Sequence, residues 1–472
     1  MFRIFSKLDT DLTSFSNCTK IGLAKGIYQD KTLIAISYQK DNEVISDLFS
    51  EKNFIGNSYT TPNQVFTWNS DIDQFFPNIL DISLMCYQHY NIVKPKFTKI
   101  LTQQTKYLYD NSQINILRHV IKKDNLIPYY ITEADLCEQS KIYLQLGDDL
   151  YSQFDNRDKQ FYHHLLRAKR VLKKIRNNQI FINKSYLLNF LKKADNKYQR
   201  IGRQILERIK DKRIIQHLDI TGTITGRLSG TGGLNLQTLP KGVGLKRCII
   251  SRFQNGQILV ADWNAMEFRI ALAEAEYVDL TKTDIHTRTA QQIFQIENIS
   301  FEEREQAKTI NFSIIYSGFV NKNAGIIKKL YPMLNDKVQA ITTETERTKK
   351  QTNIFGRKRT FTSDTPFQTK SFNNLIQGSA ADVCLRALYL IQGEIEKQQL
   401  KSKIILAVHD SIVFDCKENE INALLRIIQN IMTNKALPSL YKQRLLFPVA
   451  VVVGNNYEDL KPLATIYKDE IH

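Results

Sequence analysis

The chain has 472 residues, with 65 Lys plus Arg against 48 Asp plus Glu and a formal net charge of +17. That length allows two or three domains with an ample core, and the basic excess favours a polyanionic partner, although a solvated surface also produces it. The longest apolar runs, such as 445–453, fall short of the roughly 20 residues a membrane span takes, so no membrane partner is expected. The six scattered cysteines contain no C-x-x-C pair, which argues against a zinc site or a disulfide framework.

No signal-peptide h-region follows Met1, and the expected location is the cytoplasm of a bacterium or phage-infected cell, or an organelle. Up to about residue 145, short β-rich pieces at 32–38, 63–66 and 79–85 alternate with polar loops. A basic helical stretch follows over about 161–214, a face that can hold duplex backbone or simply be solvated. Gln257-Ile-Leu-Val-Ala-Asp262 reads as a buried strand ending in Asp, and 265–274 as the helix after it. Further on, Arg304, Lys308, Phe312 and Tyr316 recur every four residues. Four residues turn an α-helix by about 400°, so these side chains share one broad face, cationic at one end and aromatic at the other. Ile404-Ile-Leu-Ala-Val-His409-Asp410-Ser-Ile-Val-Phe-Asp415 reads as two strands with His-Asp at their turn. The helical face suits a triphosphate carrying a base, and Asp262 with Asp410 suits the Mg²⁺ ions that accompany it. Taken alone, an Asp at a strand end is more often a turn former or helix cap, and helical spacing alone fits a core face. Together these features point to a template-directed DNA polymerase.

Five segments, in order, resemble the polymerase domain of family A (DNA polymerase I type) DNA polymerases of a phage-like kind. They are Thr225-Gly-Arg227-Leu-Ser with Asn235-Leu-Gln237-Thr-Leu-Pro240; Asp262-Trp-Asn-Ala-Met-Glu267-Phe-Arg269; Asp284-Ile-His286 with Thr289-Ala290; the run 304–318; and Asn373-Asn-Leu-Ile-Gln377-Gly-Ser-Ala-Ala-Asp382 with Val408-His409-Asp410. The resemblance implies an α/β (α+β) right hand: an antiparallel palm sheet and helical fingers (about 284–370) within 221–472, and a short helical thumb over 146–220. It implies two Mg²⁺ ions, for which Mn²⁺ can substitute, held by Asp262, Asp410 and the carbonyl of Trp263. Arg304, Lys308 and His286 would take the dNTP phosphates, with Lys308 as general acid toward pyrophosphate. Phe312 and Tyr316 would meet the base, and Glu267 would fill the space of a ribose 2′-hydroxyl. Primer–template DNA would be held by Arg227, Asn235, Gln237, Asn373, Gln377, His409 and Lys370, with Gly356-Arg357-Lys-Arg359 as phosphate contacts. A processivity or replisome partner is compatible with such an enzyme, in replication or repair.

Several residues depart from the family pattern. Ser411 stands where a second carboxylate usually follows the last catalytic Asp, and Ser313 and Ser317 replace helix glycines. Residues 1–145 resemble a small RNase H-like 3′–5′ exonuclease domain more faintly, with Asp9, Asp11 and Asp135 as remnants of its metal ligands. Thr67 falls where an acidic ligand belongs and Ile131 where a tyrosine is expected, so proofreading is expected to be weak or absent. A single-subunit RNA polymerase would share two aspartates, but Glu267 argues against it. A catalytically inactive DNA-binding replisome protein would explain the charge, but not the joint presence of Asp262, Asp410, Arg304 and Lys308.

Overall fold

The computed structural model describes residues 18, 20–28, 31–40, 43–50, 64–67, 79–90, 93, 133–317 and 324–471. The chain divides into two compact units, Met1–Leu166 and Arg167–His472.

In the first unit, β1 (Lys20–Tyr28), β2 (Lys31–Lys40), β3 (Glu43–Ser50), β4 (Gln64–Thr67) and β5 (Ile79–Asp81) form one sheet in the order β3-β2-β1-β4-β5. The first three strands are antiparallel, whereas β4 runs parallel to β1 and β5 parallel to β4. Helix α1 (Ile82–Tyr90) follows β5 without a break, so the β-rich run expected over 79–85 is cut short. The reason is Asp81, whose carboxylate accepts the Leu84 N–H at 3.2 Å and starts the helix. Helix α2 (Glu133–Ser152) packs on the sheet at a distance set by two glycines. A Cβ on Gly22 would lie 1.9 Å from Ser140 O, and one on Gly147 would lie 2.3 Å from the Phe66 ring. Helix α3 (Asn156–Asn178) carries the chain across the boundary between the units.

The second unit begins with two short antiparallel pairs, β6 (Ile180–Phe181) with β7 (Arg213–Ile214) and β8 (His217–Asp219) with β9 (Ser229–Thr231). Between β6 and β7 lie α4 (Lys184–Lys193) and α5 (Asn196–Arg208). Then come β10 (Gln257–Trp263), α6 (Met266–Glu274), α7 (Ile285–Phe294), α8 (Phe301–Ser317), α9 (Ala324–Leu330) and α10 (Pro332–Thr348). A hairpin of β11 (Lys350–Thr352) and β12 (Lys358–Thr360) leads into the 31-residue α11 (Phe367–Lys397). The chain finishes with β13 (Lys403–Val408), β14 (Ser411–Cys416), α12 (Ile421–Asn430), α13 (Ser439–Arg444), β15 (Val449–Gly454) and β16 (Lys461–Ile466). Five of these strands make an antiparallel sheet in the order β13-β14-β10-β15-β16. Ile258, Val260, Leu406 and Val413 join Ile180, Leu187, Ile205 and Ile214 in one core, while the alternate Leu259, Ala261, Ile412 and Phe414 are also buried. Burial on both faces explains why these strands read as unbroken apolar runs. Among the described residues, no helix is long and apolar enough to cross a membrane.

Because the atom facing Gly22 is a backbone carbonyl, Gly22→Ala forces α2 off the sheet. Overpacking of this kind costs about 1–3 kcal/mol or more. Thermal unfolding should show a first unit that melts earlier, and an unchanged melting curve would place α2 farther from β1.

Candidate active site

Asp262 lies near the end of β10, the middle strand, opposite Ser411 of β14 and Ala450 of β15. Asp410 sits in the two-residue turn joining β13 to β14, where His409 takes the left-handed conformation at φ 55°. The register therefore brings two sequence-distant carboxylates to the same end of neighbouring strands. Desolvation raises both carboxyl pKa values; Asp410 adds to the rise at Asp262, and Glu267 adds to it at Asp410. Lys241 and Lys308 act in the opposite direction on Asp262. The turn after Asp262 passes through Ala265 at φ 54° and is stapled by the buried Arg269, which donates to Asn264 O and Leu446 O at 3.0 Å each. Trp263 is buried and donates its indole N–H to Met432 O at 2.9 Å.

Beside the carboxylates lies a cavity of about 260 Å³ lined by Arg227, Glu267, Phe312, Tyr316, His409 and Asp410, with one apolar wall from α11. Glu267 is buried and takes a hydrogen bond from Tyr316 OH at 3.1 Å and an ion pair from Arg227. Arg227, read in sequence as a primer–template contact, is thus joined to Glu267.

Helix α8 presents Arg304, Lys308, Phe312 and Tyr316 as their spacing implies. Its cations already have partners. Arg304 forms a two-pronged pair with Asp284 at 3.0 and 3.1 Å, and its remaining nitrogen reaches Glu305 at 3.0 Å. Lys308 pairs with the same Glu305 at 3.1 Å. Asp284 also caps α7 through Thr287 N and accepts from Asn264; although burial acts the other way, the Arg304 bond and these others hold its pKa well below the usual carboxylate range. His286 is 2% exposed, and burial lowers its pKa to about 4, so it is neutral near pH 7 and not a cation for phosphates. Its Nδ1 accepts from Asn311 Nδ2 at 3.0 Å, which leaves Nε2 to carry the proton. Rings run in series from Phe268 to His286 to Phe312 to Tyr316, with centroids 5.7–6.3 Å apart. Ser313 bonds back to Ile310 O at 2.6 Å, using up the hydroxyl that replaces a glycine hydrogen.

The remaining sequence candidates divide into two groups. Lys370, Asn373 and Gln377 lie along one side of α11, with Lys370 exposed and Gln377 buried. Asn235 instead caps the turn at Gln237 N, and Gln237 donates to Ala407 O at 3.0 Å, so both serve the backbone around the site. Arg357 is 6% exposed and paired with Asp382, which withdraws it from phosphate contact. In the first unit, Asp9, Asp11 and Ile131 lie outside the described residues, and Asp135 belongs to α2. Thr67 ends β4 opposite Asp81, whose carboxylate caps α1.

A family model described as DNA polymerase family A matches residues 139–459. The chain belongs to DNA polymerase family A. DNA polymerase I of Bacillus subtilis (strain 168) is 29% identical over 243 residues, covering 44% of this chain and 28% of that protein. DNA polymerase I of Rhizobium leguminosarum is 29% identical over 283 residues, 52% of this chain and 28% of that protein. The matched part of the chain thus spans under a third of these relatives. A solved structure, the POL domain of Pol1 from M. smegmatis in complex with DNA primer-template and dNTP, aligns with a TM-score of 0.73 at 15% identity. It covers 96% of this chain and 98% of that one and shows a shared fold.

Family A polymerases use divalent metal ions. Asp262 and Asp410 fit one chemically: both are hard oxygen donors, adjacent, and crowded by like charge that a divalent cation would offset. Among the described residues no group of three or more His, Cys, Asp or Glu is placed to hold a metal ion. Lys241, Asp284, Glu305 and Asn311 lie at the site without an individual role from the sequence. Asp284, Glu305 and Asn311 fall within the family-like segments 284–286 and 304–318, and Asp284 is also an N-cap three residues before Thr287.

The lowered pKa of His286 has a consequence for stability. Between pH 6.5 and 4 the unfolded chain binds a proton at His286 that the folded chain refuses, so stability falls as pH drops through this window. The share is roughly 3 kcal/mol at about 1.4 kcal/mol per pKa unit. His286→Gln should flatten the acid limb of the stability curve, as followed by denaturant unfolding at a series of pH values. Parallel curves for the two proteins would show that His286 titrates normally.

Proposed function

We propose that this chain is a template-directed DNA polymerase that adds dNTPs to a primer 3′-hydroxyl in DNA replication or repair. The observation that carries this reading is the meeting of Asp262 and Asp410 at one sheet end, within reach of the Lys308 charge. Asp262, Asp410 and the Trp263 carbonyl are suited to hold two Mg²⁺ ions, or Mn²⁺ in their place, which would acidify the primer hydroxyl and offset charge on the departing pyrophosphate. Arg304 and Lys308 exchange their internal carboxylates for the triphosphate, and Lys308 can return a proton to pyrophosphate. His286 takes part as a neutral donor. Phe312 and Tyr316 flank the incoming base, and Glu267 fills the space of a 2′-hydroxyl, which selects DNA. Arg227, Gln377 and His409 face the primer–template, where minor-groove acceptors are nearly the same for every correct pair. The solved relative holding DNA primer-template and dNTP supports both ligands for this fold.

Residues 146–220 serve in this reading as a short thumb, and 221–472 as palm and fingers. Residues 1–145 are a degenerate exonuclease-type domain: the β3-β2-β1-β4-β5 order supports the ancestry, and Thr67 supports the loss of function.

Primer extension with Mg²⁺ and dNTPs tests the assignment. Asp262→Asn and Asp410→Asn should each lower extension by at least about 10²-fold, the scale on which loss of one charge-stabilising group acts. Duplex binding should persist, and near-normal extension in either variant would move the chemistry elsewhere. A primer with a mismatched 3′ end should survive in the presence of Mg²⁺ or Mn²⁺; rapid excision, lost in an Asp9→Ala, Asp11→Ala variant, would restore proofreading to the first unit.

A further inference from the structure

Arg357 and Asp382 lie outside the residues lining the cavity, yet they form a deeply buried charge pair. Arg357 is 6% exposed and Asp382 fully buried. The guanidinium grips the carboxylate with two prongs, Nη2 to Oδ1 at 2.7 Å and Nε to Oδ2 at 3.0 Å. Asn353 donates to the same carboxylate at 2.8 Å, while its own oxygen accepts from Phe355 N and Arg357 N. The tip of the β11–β12 hairpin is therefore locked to the middle of α11.

The guanidinium also abuts the backbone of Gly226. A Cβ built on Gly226 would fall 2.2 Å from Arg357 Nη2 and 2.3 Å from Cζ, and Gly226 adopts φ 81°, which favours glycine. The same turn touches α11, since a Cβ on Gly378 would sit 3.6 Å from Thr225 O. The turn is closed by Thr223 Oγ1, which donates to Arg227 O at 2.8 Å. Its next residue is Arg227, whose side chain holds Glu267 and reaches Tyr316 OH at 3.5 Å. A continuous chain of contacts thus runs from Asp382 through Arg357 and Gly226 to Glu267. A two-pronged guanidinium–carboxylate contact has one favoured geometry, unlike an apolar contact of the same volume. A buried ion pair adds little net stability over apolar residues of similar size, so stability alone gives little reason for this pair.

We propose that the Arg357–Asp382 pair is a positioning element for sugar selection: it fixes Gly226, and through Gly226 the reach of Arg227 to Glu267. The proposal rests on Glu267 being the sugar gate. Neither residue lines the cavity beside Glu267, so in this proposal the pair acts through Arg227.

The test is single-nucleotide insertion by the full chain, with dNTP and with the matching rNTP. Arg357→Lys keeps the charge and loses the two-pronged geometry. Arg357→Met with Asp382→Leu removes both charges and leaves no unpaired ion. Gly226→Ala pushes the turn off the guanidinium with the pair intact. Each folded variant should raise the dNTP KM and the rNTP-to-dNTP insertion ratio by about fivefold or more, with a smaller change in kcat, as expected for a misplaced binding group. Thermal melting identifies which variants are folded. Folded variants with lowered melting temperature but unchanged KM and ratio would reduce the pair to a structural one and overturn the proposal. Glu267→Ala is measured alongside. No shift in its ratio overturns the gate and the proposal with it, whereas a shift there and none in the pair variants overturns the proposal alone.

Discussion

The arrangement depends on holding two carboxylates together against their mutual repulsion. Asp262 and Asp410 gain nothing from each other, and desolvation opposes the charge on both. The backbone supplies the constraint. β10 pairs with β14 and β15 through six-residue registers on each side, and both faces of the sheet are buried, so neither strand can slide to relieve the repulsion. Two non-glycine residues in left-handed conformations, Ala265 and His409, complete the placement. That conformation costs roughly 1 kcal/mol or more for a non-glycine residue, which the surrounding ladder and the Arg269 staple must hold in place.

Three cations near the carboxylates follow a second rule: each has an internal partner. Arg304 rests on Asp284 and Glu305, Lys308 on Glu305, and Arg227 on Glu267. In the proposed function, a polyphosphate arriving at α8 would exchange one anion for another instead of meeting bare charge. Partly exposed pairs of this kind are worth about 0–1 kcal/mol each, so displacing Glu305 is cheap. The buried partner is different. Glu267 is 6% exposed and is held from two sides, so its position is fixed before any nucleotide arrives. In the proposed function, the exposed, exchangeable pairs would face the phosphates and the buried, fixed one the sugar.

Much of this was legible in the sequence. Unbroken apolar runs marked β10, β13 and β14 because both faces of the sheet are covered, and the four-residue spacing on α8 placed its cations and rings on one side. The illegible parts share one property: their partners are distant in the chain. Nothing near Arg357 announces Asp382, so a basic hairpin tip reads as surface. Gln237 reads as a DNA contact, and nothing near it announces its bond to Ala407 O on β13. Asp81 could have been read locally, since a capping Asp before Ser83-Leu84 is a helix start, but the apolar residues around it masked the change of period.

Ser411 shows how the two constraints meet at one position. It lies directly opposite Asp262 in the β10–β14 register, so its side chain shares that face of the sheet. A carboxylate there would add a third like charge beside Asp262 and Asp410, with Glu267 already adding to the repulsion at Asp410. The serine hydroxyl instead donates to Val408 O at 2.8 Å, bridging the turn that carries Asp410. The position thus gives up a possible oxygen donor and tightens the hairpin that aims the remaining one. In the proposed function, a site built this way would have fewer charges of its own to hold a cation and would rely more on the oxygens a nucleotide brings.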